Sequence, residues 1–119
     1  MSDWYQLENK FLTAQFCSKG AELKRLFVKT WNSEIMWQAD PHVWARTAPI
    51  LFPIVGALKN DTYCFAGKNY KLPKHGFARD LEFSKVIVHE DAIEFYLTHS
   101  SKTIEMYPFQ FQLKIFYQL

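Results

Sequence analysis

Only two cysteines, Cys17 and Cys64, occur in 119 residues, too few for the disulfide framework of a small secreted chain. The expectation is two packed, reduced thiols. No apolar run approaches the roughly 20 residues that span a bilayer. The opening residues 1–10 are acidic and amide-rich, without the apolar centre of a signal peptide. Lysine and arginine are scattered, and the net charge is only +2, which excludes the concentrated basic track that follows nucleic-acid phosphates. His42, His75, His89 and His99 are not at metal-ligand spacing from one another or from either cysteine, so neither a metal nor a cofactor is expected. These exclusions together predict a soluble cytoplasmic protein without membrane or nucleic-acid partners.

What is present is aromatic. Phe, Tyr and Trp make up 18% of the chain, and such side chains serve both pleated cores and the flat platforms on which sugar rings lie. Period-two alternation dominates. Leu12, Ala14 and Phe16 alternate with Thr13, Gln15 and Cys17, and Ile93, Phe95 and Leu97 alternate with Glu94, Tyr96 and Thr98. Phe109, Phe111, Leu113, Ile115, Tyr117 and Leu119 share one face of a last run, opposite Gln110, Gln112, Lys114 and Gln118, with Phe116 the exception. This is the pattern of antiparallel strands with one buried face.

Turn residues separate the runs. Lys19-Gly20 divides the first strand from Leu23–Lys29, and Trp31-Asn32-Ser33 precedes a strand over Ile35–Gln38. Ala66-Gly67-Lys68 reverses Thr62–Phe65 into Asn69–Leu72. His89-Glu90-Asp91 joins Leu81–Val88 to Ala92–Thr98. Asp40-Pro41 suits the start of one helical turn through Arg46. The fold class is all-β, an antiparallel β-sandwich, and residues 1–119 read as a single domain. The last strand reaches Leu119 with no turn after it, so its apolar face needs a neighbour and a cover. An exposed C-terminal strand of this kind predicts a homo-oligomer.

Two segments break the alternation. Thr47–Asn60 carries Pro49 and Pro53 in an apolar run, which forbids a regular central strand and leaves an edge, a bulge or a buried crossover. Leu72–Asp80 (LPKHGFARD) sets His75 between Pro73 and Gly76, with Arg79 and Asp80 close behind. Such a loop can transfer protons and bind polyhydroxyl groups. Equally, Asp80 can pair with Arg79 while His75 bonds a backbone carbonyl.

The segments AELKRL, EIMWQADPHVWARTAPILFPIVG, GKNYKLPKHGFARD and YPFQFQLKIFYQL resemble, in this order, the LacX-like branch of the aldose 1-epimerase (galactose mutarotase) family. The resemblance implies a galactose-mutarotase-like supersandwich, incomplete here, with a sugar cleft on one sheet. It implies that His75 is the first active-site histidine, contacting the sugar near its ring oxygen. Arg79 matches a residue that helps hold the anionic group in the hexose-6-phosphate branch. Trp44 and Arg46 fall in the segment that leads into the cleft, and Asp80 joins them as a substrate-binding candidate. The implied partner is an aldose sugar or sugar phosphate.

Ala57 stands where the family commonly has an arginine aimed at the sugar, which removes directional donors. The family's second histidine and catalytic glutamate fall beyond Leu119. His89 and His99 match neither histidine and read as solvated, and Glu82, Glu90 and Glu94 read as exposed carboxylates. The implied activity is interconversion of α and β anomers where a complete site is assembled. The alternatives are a sugar-binding module without catalysis and a self-associating structural sandwich.

Overall fold

A computed structural model describes residues 2–119. The first sheet holds β1 (Trp4–Glu8), β2 (Leu12–Cys17), β3 (Glu22–Val28) and β4 (Ser33–Glu34), antiparallel and in that order. A long irregular stretch then leads to a separate hairpin, β5 (Thr62–Phe65) with β6 (Lys68–Lys71). The last sheet is β7 (Lys85–Val88), β8 (Ala92–Thr98) and β9 (Gln112–Gln118), again antiparallel and in order. One short helix, α1 (Ser101–Met106), links β8 to β9.

The alternation read from the sequence is the alternation of burial. Ile93, Phe95 and Leu97 point into the core, as do Ala14 and Phe16. The first and last sheets face each other through aromatic rings. Tyr5 of β1 meets Phe95 of β8 edge-on at 5.8 Å, and Phe16 of β2 lies 4.7 Å from Tyr117 of β9. The Tyr117 hydroxyl donates to the Ala21 carbonyl across the layers at 2.8 Å, and burial pushes its pKa up to about 12. A second aromatic group, Phe52, Phe77, Tyr107 and Phe111, closes the end of the sandwich beneath the irregular segment. The β5–β6 hairpin is tied to α1 by the Tyr63 hydroxyl, which donates to the Met106 carbonyl at 2.7 Å.

Several expectations need correction. The opening residues form β1, with Tyr5 and Leu7 turned inward, a strand that the sequence pattern does not announce. The strand expected over Ile35–Gln38 is absent, and only Ser33–Glu34 pairs with β3. The helical turn expected through Arg46 is cut to Asp40–Trp44, where the Trp44 N–H donates to the Asp40 carbonyl at 2.8 Å. The Asp40 carboxylate accepts from the His42 N–H, and the Trp37 indole N–H donates to the Trp44 carbonyl, which a continuing helix would have needed. Cys17 is buried as expected, but Cys64 is exposed on β5.

Glu94 is no exposed carboxylate, for its side chain is only 13% accessible. It accepts from His89 Nε2 at 2.7 Å, from the Tyr96 hydroxyl at 2.8 Å and from Lys114. His99 is half-buried against Phe111 rather than solvated.

The hydrogen bonds from His89, Lys114 and Tyr96 lower the Glu94 pKa from 4.5 to about 2. A carboxylate depressed on folding adds stability that is present above its unfolded value and lost as pH falls through the folded one. The urea midpoint should therefore drop between about pH 4.5 and pH 2. In Glu94→Gln that part of the slope should flatten, and an unchanged slope would remove the cluster from the acid response.

Candidate functional site

Two segments far apart in sequence build the site. Phe52–Gly56 runs beside Pro73–Ala78 as a short parallel bridge, with the Phe77 and Ala78 N–H groups both donating to the Phe52 carbonyl at 2.9 and 3.2 Å. The bridge admits no side chain at position 76. A Cβ there would lie 2.1 Å from the Phe52 oxygen, and Gly76 holds φ +73°. The proline-bearing segment is, as expected, no regular strand but an irregular half-buried stretch, and its Pro49 and Leu51 border the hollow beside His75.

His75 is fixed from both sides of its own residue. Its N–H donates to the Gly56 carbonyl at 2.9 Å, while the Gly56 N–H donates to its Nδ1 at 2.8 Å. The backbone takes φ +65° at this non-glycine residue. The partner is thus a backbone amide, not the carbonyl considered above. An Nδ1 that accepts carries no proton, so the neutral ring keeps its hydrogen on Nε2. Desolvation, then the nearby Arg79 and Lys74 charges, hold the His75 pKa below 6.5, which favours that neutral form.

The His75 imidazole borders a hollow of about 360 Å³ that Trp44, Pro49, Leu51, Lys74 and Arg79 complete. Trp44 is 49% exposed, so a large indole surface is accessible. The Arg79 guanidinium is braced by Nη2, which donates to the Lys74 carbonyl at 3.1 Å, while its buried Nε has no hydrogen-bond partner among the described residues. These residues offer an imidazole, a guanidinium, an ammonium and an indole, and no carboxylate.

Arg46 and Asp80 lie in an adjoining hollow of about 330 Å³ that Arg79 also lines, together with Lys19, Glu22 and Lys24. Asp80 pairs with Arg46, at 2.7 Å, and not with Arg79. The structure therefore brings His75, Arg79 and Trp44 to one hollow, and sets Arg46 and Asp80 next door as a staple between the two segments. Ala57 is exposed just beyond Gly56 and lines neither hollow.

One supporting residue was not legible as such. Glu22, buried in β3, accepts from the Thr47 and Ala48 N–H groups at 2.8 and 2.9 Å and pairs with Lys24 at 3.2 Å. It anchors the segment that carries Trp44 and Arg46. A slightly larger hollow, about 410 Å³ on the outer face of β2 and β3, has no histidine or cysteine. Its Glu34 carboxylate is occupied by the Leu26 and Met36 N–H groups. Among the described residues no three His, Cys, Asp or Glu side chains gather at metal-binding range. No helix there is long and apolar enough to cross a membrane.

A two-layer antiparallel fold with a clamped histidine loop beside an indole-walled hollow defines the class: the chain belongs to the aldose 1-epimerase family, whose profile matches residues 3–119. Among individual proteins, it is 35% identical to the chromosomal protein LacX of Lactococcus lactis, over 96% of this chain and 40% of that one. The galactose mutarotase related enzyme of Lactobacillus acidophilus is 42% identical and superposes with a TM-score of 0.93, over 100% of this chain and 39% of that one. A galactose mutarotase-like protein of Lactobacillus casei is 36% identical with a TM-score of 0.94, over 98% and 40%. The chain thus spans about two-fifths of the length of the relatives it matches.

Proposed function

We propose that this chain carries the sugar-gripping part of an aldose 1-epimerase-type site and binds aldoses in the hollow beside His75. The observation that carries the reading is the Gly56 N–H donated to His75 Nδ1, which leaves Nε2–H as the ring's donor in a side chain lining that hollow. A neutral imidazole donor suits the ring oxygen of a pyranose. Trp44 supplies a flat surface for the C–H face of the ring, and Arg79 supplies donors for its hydroxyls. Anomerisation then needs a base at the anomeric hydroxyl and an acid at the ring oxygen. His75 assists at the ring oxygen, while the base comes from the rest of the family fold. In this reading the chain works in the cytoplasm, which its two unpaired thiols suit.

A phosphorylated aldose is the second reading, favoured by one observation. Lys19, Lys24, Arg46 and Arg79 outnumber Glu22 and Asp80 around the adjoining hollow, which leaves it net cationic. Asp80 and Arg46 would then act at its rim.

Titration of the ¹⁵N-labelled chain with α-glucose, α-galactose and their 6-phosphates tests both readings. Expected are shifts at Trp44, His75 and Arg79 with Kd on the order of 10 mM, weakened about fivefold or more in His75→Ala, the worth of one neutral hydrogen bond. Polarimetry of the chain alone should stay near the buffer rate. Silence of all three residues at 100 mM-order sugar, roughly ten times that Kd, would sink the binding reading. Anomerisation far above buffer by the isolated chain would sink the division of labour.

A further inference from the structure

The outer face of the first sheet, turned away from the core, is built in rows. Across β1, β2 and β3 the register sets Trp4 beside Cys17 and Glu22, Gln6 beside Gln15 and Arg25, and Glu8 beside Thr13 and Phe27. The first and third rows stand four residues apart along β2, about 14 Å at the rise of an antiparallel strand. Between its aromatic ends this face is polar, and a polar sheet face meets water rather than a further layer of core.

Hollows follow these rows. One of about 410 Å³ lies against Thr13 and Phe27, and the next, of about 360 Å³, shares Gln15, Arg25 and Glu34 with it and reaches Trp4. Trp4 and Lys24 also line the hollow of Arg46 and Asp80, and Arg79 is common to that hollow and the one beside His75. Four concavities thus succeed one another from His75 to Phe27, each sharing side chains with the next.

The groups left free along this line suit polyhydroxyl chains. Its carboxylates are spent: Glu22 on the Thr47 and Ala48 N–H groups, Glu34 on those of Leu26 and Met36, and Glu8 on the Thr13 hydroxyl and Lys29. Arg25 is exposed, and among the described residues no carboxylate pairs with it. Gln15 Nε2 donates to Gln6 Oε1 at 2.9 Å, which fixes both amides and leaves the Gln15 oxygen to accept and the Gln6 nitrogen to donate. Trp4, 58% exposed, and the half-buried Phe27 supply flat apolar surface at the two ends. A guanidinium fork and a fixed amide pair between two aromatic plates match the alternating hydroxyls and C–H faces of linked pyranose rings.

We propose that this line of hollows is an oligosaccharide track. The aldose at His75 is the reducing end of a short linear chain, whose further rings pass over Trp4 and along Gln15, Arg25 and Phe27. The inference rests on the sugar reading proposed above and narrows its ligand from a single aldose to a reducing oligosaccharide. It parts from the phosphorylated reading, in which an anion fills the hollow of Arg46 and leaves the track beyond it unused.

The test is titration of the ¹⁵N-labelled chain with glucose, maltose and maltotriose, with cellobiose and cellotriose for the other linkage, and with glucose 6-phosphate. The trisaccharide of at least one linkage should bind about fivefold or more tighter than glucose, the worth of one added neutral hydrogen bond. It should also shift the Gln15 and Arg25 amides, which glucose leaves in place. Trp4→Ala and Arg25→Ala remove exposed side chains and so spare the fold. Each should pull the trisaccharide back toward the affinity of glucose. The proposal is overturned by equal affinity for glucose and both trisaccharides, by glucose 6-phosphate binding tighter than either, or by a gain that survives both substitutions together. Where glucose shifts Trp44, His75 and Arg79 but a longer chain adds nothing, only the track falls. Where Gln15 and Arg25 respond while Trp44 and His75 stay silent to every sugar, the reading of the His75 hollow falls and the joined track with it.

Discussion

Gly76→Ala should abolish the site and destabilise the chain by about 3 kcal/mol or more, because two penalties fall on one methyl group. The first is steric. The Cβ would sit 2.1 Å from the Phe52 oxygen, 2.4 Å from its carbon and 2.7 Å from Pro53 Cδ, and the nearest atoms are backbone. The second is conformational, since φ +73° suits glycine and strains alanine. Relief requires the two segments to part, which breaks the bonds from Phe77 and Ala78 to Phe52 and withdraws Gly56 from His75. Urea denaturation and the ¹⁵N spectrum check this. Near-native stability with unshifted Gly56 and His75 amides would show that the bridge does not depend on this glycine.

Glu22→Ala should cost about 2 to 4 kcal/mol, the range for buried donors that lose a charged acceptor. The Thr47 and Ala48 N–H groups would lose their partner, and Lys24 its counter-ion. The damage should travel along the chain to Arg46 and Trp44, so sugar-induced shifts at Trp44 should weaken although Glu22 does not line that hollow. Glu22→Gln keeps an acceptor for both amides and should retain most of the stability. Equal losses in the two variants would assign the effect to charge rather than to anchoring.

These two residues also mark how far the sequence could be read. Leucine, isoleucine and phenylalanine at every second position placed β8 and β9 because burial follows that period directly. The Ala66-Gly67 turn likewise placed the β5–β6 hairpin. β1 escaped because only Tyr5 and Leu7 carry its inward face, too short an alternation to stand out. α1 escaped because its six residues follow a strand, and its capping pair, Ser100 with Thr103, lacks the usual acidic or amide residue at the third position.

In the site, Pro73 and Gly76 advertised a constrained loop, and the loop exists. The group that sets its tautomer, the Gly56 amide, lies 19 residues away in an irregular segment that no periodicity describes. Glu22 looks like any polar residue at a strand start, and only the tertiary fold turns it onto Thr47 and Ala48. Asp80 reads as the partner of its neighbour Arg79, yet chain geometry hands it to Arg46, 34 residues upstream.

The reciprocal bonds between His75 and Gly56 make the imidazole a mechanical latch as well as a chemical group. Acid that finally charges the ring sets N–H against N–H, so the latch opens by repulsion. Protonation would then release the ring from the Gly56 N–H, while the backbone bonds from His75 to Gly56 and from Phe77 and Ala78 to Phe52 still hold the two segments together.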